Sequence, residues 1–232
     1  LFQAFIGTMV LAIAAMLLAL AIGISLGVWA AMRQGKWVDH IIVGSSAIGI
    51  SMPSFFSAML FSWLFGFVWH EYTGLPMTGS LWEIDEMGES RTLMWSNMIL
   101  PALALGIRPL AVFIQLTRNT MVEMLAQDFV RSAKAKGLST WQATWKHALP
   151  NAWAPIATVI AFNLAYLVVG VVVVEVVFVY PGIGQLMVDA VASRDIPVVQ
   201  GCALIFAITY ILLNLLADII GIVTNPRLLH PK

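Results

Sequence analysis

RSAKAKGLSTWQATWKHALPNAWAPI, from Arg131 to Ile156, is a polar stretch set between long apolar runs, and it is patterned like a folded part. Asp128, just ahead of it, can cap a helix over about 129–136, and Gly137 can end that helix in a left-handed conformation. Ser139-Thr140-Trp141-Gln142 fits a capping box, in which Ser139 and Gln142 satisfy each other's backbone N–H groups. A second short helix over about 141–148 should stop before Pro150, because proline disfavours helical geometry at Leu149. Each helix is only about 12 Å long at about 1.5 Å per residue. Helices that short are marginal alone and need a surface to dock on. Two readings fit. The segment is either a connector lying on lipid headgroups, with Trp141 and Trp145 as interfacial anchors, or a socketed contact to a cytoplasmic protein.

The surrounding chain decides the setting. Of 232 residues, 60% are hydrophobic and 10% charged, and the mean hydropathy is +0.90. Soluble domains carry about 25% charged residues, so this is a membrane composition. A net charge of zero argues against a nucleic-acid binder. The single cysteine, Cys202, lies in an apolar run, which excludes a disulfide framework and a thiolate metal site within the chain. Five segments reach the roughly 20 apolar residues of a membrane helix: 5–31, 41–69, 97–118, 152–178 and 199–224. The expected fold is therefore all-α, a polytopic transmembrane helix bundle forming a single domain over 1–232.

Charge orients it. Arg33, Lys36, Arg118, Arg131, Lys134, Lys136, Lys146, Arg227 and Lys232 fall in the segments 32–40, 115–150 and 225–232. The alternate segments, 70–96 and 179–198, hold only Arg91 and Arg194, beside Glu71, Glu83, Asp85, Glu86, Glu89, Asp189 and Asp195. By the excess of Lys and Arg, the segment containing Arg131 is cytoplasmic, the acidic loops are external and the C-terminus is inside. Five spans then place Leu1 outside, which leads to the expectation of one more helix ahead of it. Gly23 and Gly27, and the stripe Ala157, Ala161 and Ala165, are the candidate helix contacts.

The spacing of the cytoplasmic segment resembles the EAA signature of permease subunits of binding-protein-dependent ABC importers. Arg131, Ser132 and Ala133 occupy the E-A-A positions, Gly137 the glycine, and His147-Ala148-Leu149-Pro150 the I-x-L-P. The Arg-x-Ala-x-Ala-Lys-Gly form is similar to the variant in dipeptide, oligopeptide and nickel importer permeases. The resemblance extends to Leu-Thr-Arg at 116–118, Asp128-Phe129-Val130-Arg131, Val174-Glu175-Val176-Val177-Phe178 with Pro181-Gly182-Ile183-Gly184, and Pro197-Val198-Val199-Gln200-Gly201. Arg131 replaces the usual glutamate, and Asn225-Pro226-Arg227 replaces the usual Asp-Pro-Arg near the end.

The resemblance implies a fold of the type I importer kind, similar to the methionine importer permease. It also implies a coupling loop over 119–151 that sits in a groove of a separate ATPase subunit. Arg131, Ser132, Ala133, Lys136, Gly137, Leu138, His147, Leu149 and Pro150 would carry that contact. Ala133 and Gly137 would permit close approach, Phe129, Leu138 and Leu149 would offer apolar surface, and Lys134, Lys136 and Lys146 a charged rim. Tyr180, Pro181, Gly182 and Gly184, within 179–198, resemble the family's external gate segment, with a short helix running to about Ser193. The implied partners are a second homologous permease, two ATPase subunits or domains and an external binding protein, in a bacterial inner membrane. No cofactor is expected in this chain, since ATP would be bound by the partners.

Three charges stand inside the spans: Arg108, Glu175 and, in the last helix, Asp218. Arg108 is mid-span and Glu175 is near the outer end of the fourth span. A mid-membrane charge costs about 2.5–3.5 kcal/mol on insertion scales and so faces a cavity or a partner. Arg108 and Glu175 are expected either to line the translocation path or to be satisfied structurally, by each other or by backbone groups. Pro53, Pro101, Pro109 and Pro155 should break or kink helices. A self-contained secondary transporter is the alternative, but no convincing internal repeat supports it. An enzyme is disfavoured, because His40, His70, His147 and His230 lie near or beyond the membrane edges, away from the serines of the second span. No Gly-x-x-x-x-Gly-Lys-Ser/Thr loop is present to bind ATP, and no metal site is expected.

Overall fold

The computed structural model describes residues 1–80, 82–84 and 91–224. Asp85, Glu86, Glu89, the stretch Asn225-Pro226-Arg227, His230 and Lys232, used above for orientation and resemblance, lie outside the described residues. Helices dominate: α1 (Phe2–Met32), α2 (Trp37–Ser51), α3 (Ser54–Phe61), α4 (His70–Thr73), α5 (Ser96–Leu125), α6 (Asp128–Ala135), α7 (Thr140–Ala143), α8 (Leu149–Phe178), α9 (Ile183–Ser193) and α10 (Ile196–Thr224). A small antiparallel ribbon, β1 (Trp82–Ile84) with β2 (Arg91–Leu93), pairs Trp82 with Leu93 inside the acidic connection that the sequence presents only as a loop.

Among the described residues three unbroken helices are long and apolar enough to cross a membrane: Phe2–Met32, Ser96–Leu125 and Ile196–Ile222. They coincide with the first, third and fifth expected spans. The second is interrupted at Met52-Pro53, where Pro53 is extended (φ −62°, ψ 141°) and opens α3. The residue before a proline is pushed out of helical geometry, which accounts for the break. α3 runs on through a π-helical turn, Ser62–Val68. At Pro101 and Pro109, where a break or a kink was expected, there is no break: α5 is helical through both. Apolar membrane helices tolerate proline where neighbouring groups satisfy the freed carbonyls.

The chain divides into two compact units, and α1, α5, α8 and α10 contribute segments to both. The first comprises Leu1–Leu18, Met52–Arg108 and Leu164–Leu212. There Gly106 of α5 lies against the backbone of α1, where an added Cβ would come within 3.0 Å of the Ala15 carbonyl oxygen. Asn97 donates from Nδ2 to the Ser80 carbonyl and ties the connection after α4 to the start of α5.

The second unit comprises Ala19–Ser51, Pro109–Asn163 and Leu213–Lys232. Gly23 and Gly27 are contact positions, as their spacing indicates: a Cβ on Gly23 would stand 2.8 Å from Phe113 Cβ, and one on Gly27 2.7 Å from Thr117 Cβ. Helix backbones approach this closely only over missing side chains. Around this contact Val28, Ala31, Met121, Val130, Ala143, Ala148, Ala152 and Ile156 form a buried core. The short helices α6 and α7 therefore dock on their own bundle, through Val130, Ala143 and Ala148.

Candidate functional site

The polar segment is built from two capping devices. α6 begins at Asp128, one residue earlier than expected, with Gln127 at the cap position and no side-chain cap bond. Asp128 thus lies within the first turn, not ahead of it, and it accepts a 3.5 Å contact from Arg131. α6 ends in a Schellman turn, with Gly137 N–H donating to Lys134 O and Leu138 N–H to Ala133 O. Gly137 takes φ +93°, which glycine adopts at least cost. Ser139 and Gln142 close the expected capping box in both directions, at 3.2 and 3.1 Å.

Pro150 does not stop the second helix. After α7 the chain makes a π-helical turn over Thr144–Ala148 and enters α8 at Leu149 without leaving helical geometry. A wider turn ahead of a proline relieves the clash of its ring with the preceding carbonyls. Pro150 therefore lies inside a continuous helical run, where its missing N–H leaves one carbonyl of the preceding turn without its helical donor.

Side chains in the segment sort by face. Ala133 is buried, and Leu149 is half-buried and packs against the core of the second unit. Phe129, Arg131, Ser132, Lys134, Lys136, Gly137, Trp141, Trp145, Lys146 and Pro150 are exposed, while Leu138 and His147 are half-buried. Trp141 and Trp145 stack at 5.3 Å between ring centroids. Gly137 has open space where a Cβ would go, so its requirement is conformational and not steric.

Asp39 was not singled out by the sequence. It is buried, receives both Nε and Nη2 of Arg118 at 3.1 and 2.8 Å, and accepts from the Gly35 N–H. This two-point ion pair links the first turn of α2 to α5 within the second unit. Its one sequence signal was an acid inside the otherwise basic segment 32–40, on the same side as Arg118.

The segment 179–198, in the first unit, is organised by Glu175. Its carboxylate is fully buried and accepts from Thr8 Oγ at 2.6 Å, from Gly184 N–H at 2.7 Å and from Gln185 N–H at 3.2 Å. Thr8 in turn accepts the Ile183 N–H at 2.9 Å. The first three N–H groups of α9 are thus all satisfied by side chains from α1 and α8. A carboxylate there also meets the positive end of the helix dipole. The glycines follow from this geometry. A Cβ on Gly182 would collide with the Glu175 carboxylate, and one on Gly184 would fall 2.6 Å from Val172 Cα. α9 ends at Ser193, as the sequence indicated, and meets the last turns of α8 at 78°.

Tyr180 is buried, and its hydroxyl has no hydrogen-bond partner among the described residues. It borders a cavity of about 660 Å³ with Gln3, Gly7, Trp82, Gln185 and Asp189. Arg108 and Glu175 are not partners. Arg108 is exposed, donates to the Tyr166 hydroxyl at 2.8 Å and lies 5.3 Å from that ring's centroid.

Membrane-length helices and a docked helix–glycine–helix segment are the architecture of a polytopic membrane protein. Residues 23–230 match the family model described as binding-protein-dependent transport system inner membrane component, and the chain belongs to this family. It is similar to the dipeptide transport system permease protein DppB of Escherichia coli K12, at 38% identity over 98% of this chain and 72% of the relative. The di/tripeptide transport system permease protein DppB of Pseudomonas aeruginosa UCBPP-PA14 is also 38% identical, over 98% and 72%. The glutathione transport system permease protein GsiC of Salmonella typhi is 35% identical, over 97% and 68%. Among solved structures, an inward-facing methionine ABC transporter, MetNI, has a chain of the same fold: TM-score 0.71, 16% identity, with 97% of this chain and 96% of that one covered. The protein is the inner-membrane permease of an ABC importer. As for importers of this family generally, ATP hydrolysis and solute capture belong to partner proteins. Nothing found supports the secondary-transporter alternative.

Proposed function

We propose that this permease forms part of a path for small peptides or a related solute such as a nickel chelate, and that it is driven through the segment 128–151 by a separate ATPase. A second homologous permease completes the path, an external binding protein delivers the solute to the side bearing α9, and the C-terminus is cytoplasmic. The relatives named for dipeptides, di/tripeptides and glutathione support the solute class. The observation that carries the coupling reading is the division of α6 and α7 into two faces. Val130, Ala133, Ala143 and Ala148 fasten the segment to its own bundle, while Phe129, Arg131, Ser132, Lys136 and the Trp141–Trp145 pair are left outward. Aromatic and arginine side chains are the types that dominate protein interfaces.

The test is co-purification of the full-length permease with its ATPase, comparing wild type with Ser132→Trp. Ser132 is exposed on α6, so a bulky side chain there blocks a socket without entering the core. Loss of the ATPase from a normally inserted variant is expected. Equal retention by both proteins would remove the coupling assignment.

A further inference from the structure

Arg108 stands about 18 Å along α5 from Ser96, at about 1.5 Å per residue. Its side chain is too short to reach the membrane surface from mid-helix, and an unpaired guanidinium facing hydrocarbon costs about 2.5–3.5 kcal/mol. A charge at this depth therefore faces water or an opposite charge. Among the described residues no carboxylate lies within ion-pair distance of it. Its contact is instead Tyr166, a neutral group that fixes the guanidinium by one hydrogen bond and by its ring face. Tyr166 is 49% exposed, so the pair stands on an open face of the first unit. One N–H of Arg108 is engaged by Tyr166; the others remain for a ligand. Arginine presents them as a planar fork matched to a carboxylate.

We propose that Arg108, oriented by Tyr166, receives the carboxylate of the solute as it crosses, and so favours free peptide carboxylates over neutral ends. This rests on the peptide reading above and adds to it a residue that discriminates solutes inside the permease. The arrangement holds the solute weakly enough to release it, because the guanidinium keeps its contact with Tyr166 in the empty state.

The experiment is ATP-driven uptake by the whole importer in proteoliposomes, with the full-length permease, its partner permease, its ATPase and its binding protein. A dipeptide with a free C-terminus is compared with its C-terminal amide, each at concentrations that saturate the binding protein. Wild type, Arg108→Gln, Arg108→Lys and Tyr166→Phe are measured with the same binding protein, so its own preference cancels in the ratio. Charge-assisted hydrogen bonds contribute about 1.5–3 kcal/mol, so Arg108→Gln should lower the acid-to-amide uptake ratio by roughly tenfold or more. Arg108→Lys should restore part of the ratio, and Tyr166→Phe should lower it less. An unchanged ratio overturns the proposal, as does an equal fall in both solutes, which marks a structural arginine. Loss of the partner permease from the Arg108→Gln complex also overturns it, since the carboxylate then belongs to that subunit. If wild type carries neither peptide, the peptide reading itself fails.

Discussion

Glu175 shows how one buried acid dictates the residues around it. Its two oxygens accept three hydrogen bonds, and the turn before α9 must pass so close that Gly182 has no room for a side chain. Glu175→Ala should therefore destabilise the protein by about 2–4 kcal/mol, since the N–H groups of Gly184 and Gln185 and the Thr8 hydroxyl lose their acceptor. Gly182→Ala should be destabilising for the opposite reason, a collision with that same carboxylate. The double variant should then be less damaged than the sum of the two by at least about 1 kcal/mol. Thermal unfolding of the four proteins in detergent measures this. Additive losses would mean that the carboxylate does not set the space at Gly182. Asp39 makes a second case: Asp39→Asn should cost about 1–3 kcal/mol by leaving Arg118 without its counter-charge, read in the same unfolding assay. Glu175 was visible in the sequence as a charge at membrane depth. Thr8 was not, because a single threonine in an apolar helix carries no signal until the fold brings α9 to it.

At the scale of elements, three helices end in the same pair of bonds with different residues at the left-handed position. α6 uses Gly137, α8 uses Val179 (φ +51°) and α9 uses Arg194 (φ +59°). A β-branched residue in this region is strained by about 1–2 kcal/mol, whereas glycine is not. Gly137→Ala should accordingly lower stability by about 1 kcal/mol, and Val179→Gly should raise it by a similar amount. Opposite shifts in melting temperature are the expected result; shifts of the same sign would contradict the reading. The glycine and the capping box after it were legible because both work through local chemistry. The continuation through Pro150 was not. A proline reads as a stop from the residues alone, and only packing of Ala143, Ala148 and Ala152 into one core makes the wide turn worthwhile. The same holds for Pro101 and Pro109, which α5 absorbs.

For the molecule as a whole, periodicity and hydropathy gave the positions of the long helices, and the basic-against-acidic alternation gave the expected orientation. The interruption of the second span at Met52-Pro53 follows from its proline, as the residues indicated, whereas the ribbon β1–β2 lies in a connection to which a hydropathy profile assigns no element. The two-faced segment also carries a mechanical consequence. From Thr140 through the π-helical turn to Asn163, within the second unit, the backbone is helical throughout, and its axis turns by 56° between Trp153 and Pro155. No loop lies between the exposed Trp141 and the start of α8 to take up a displacement. Whatever grips α7 thus holds an elbowed lever and not a loose tether.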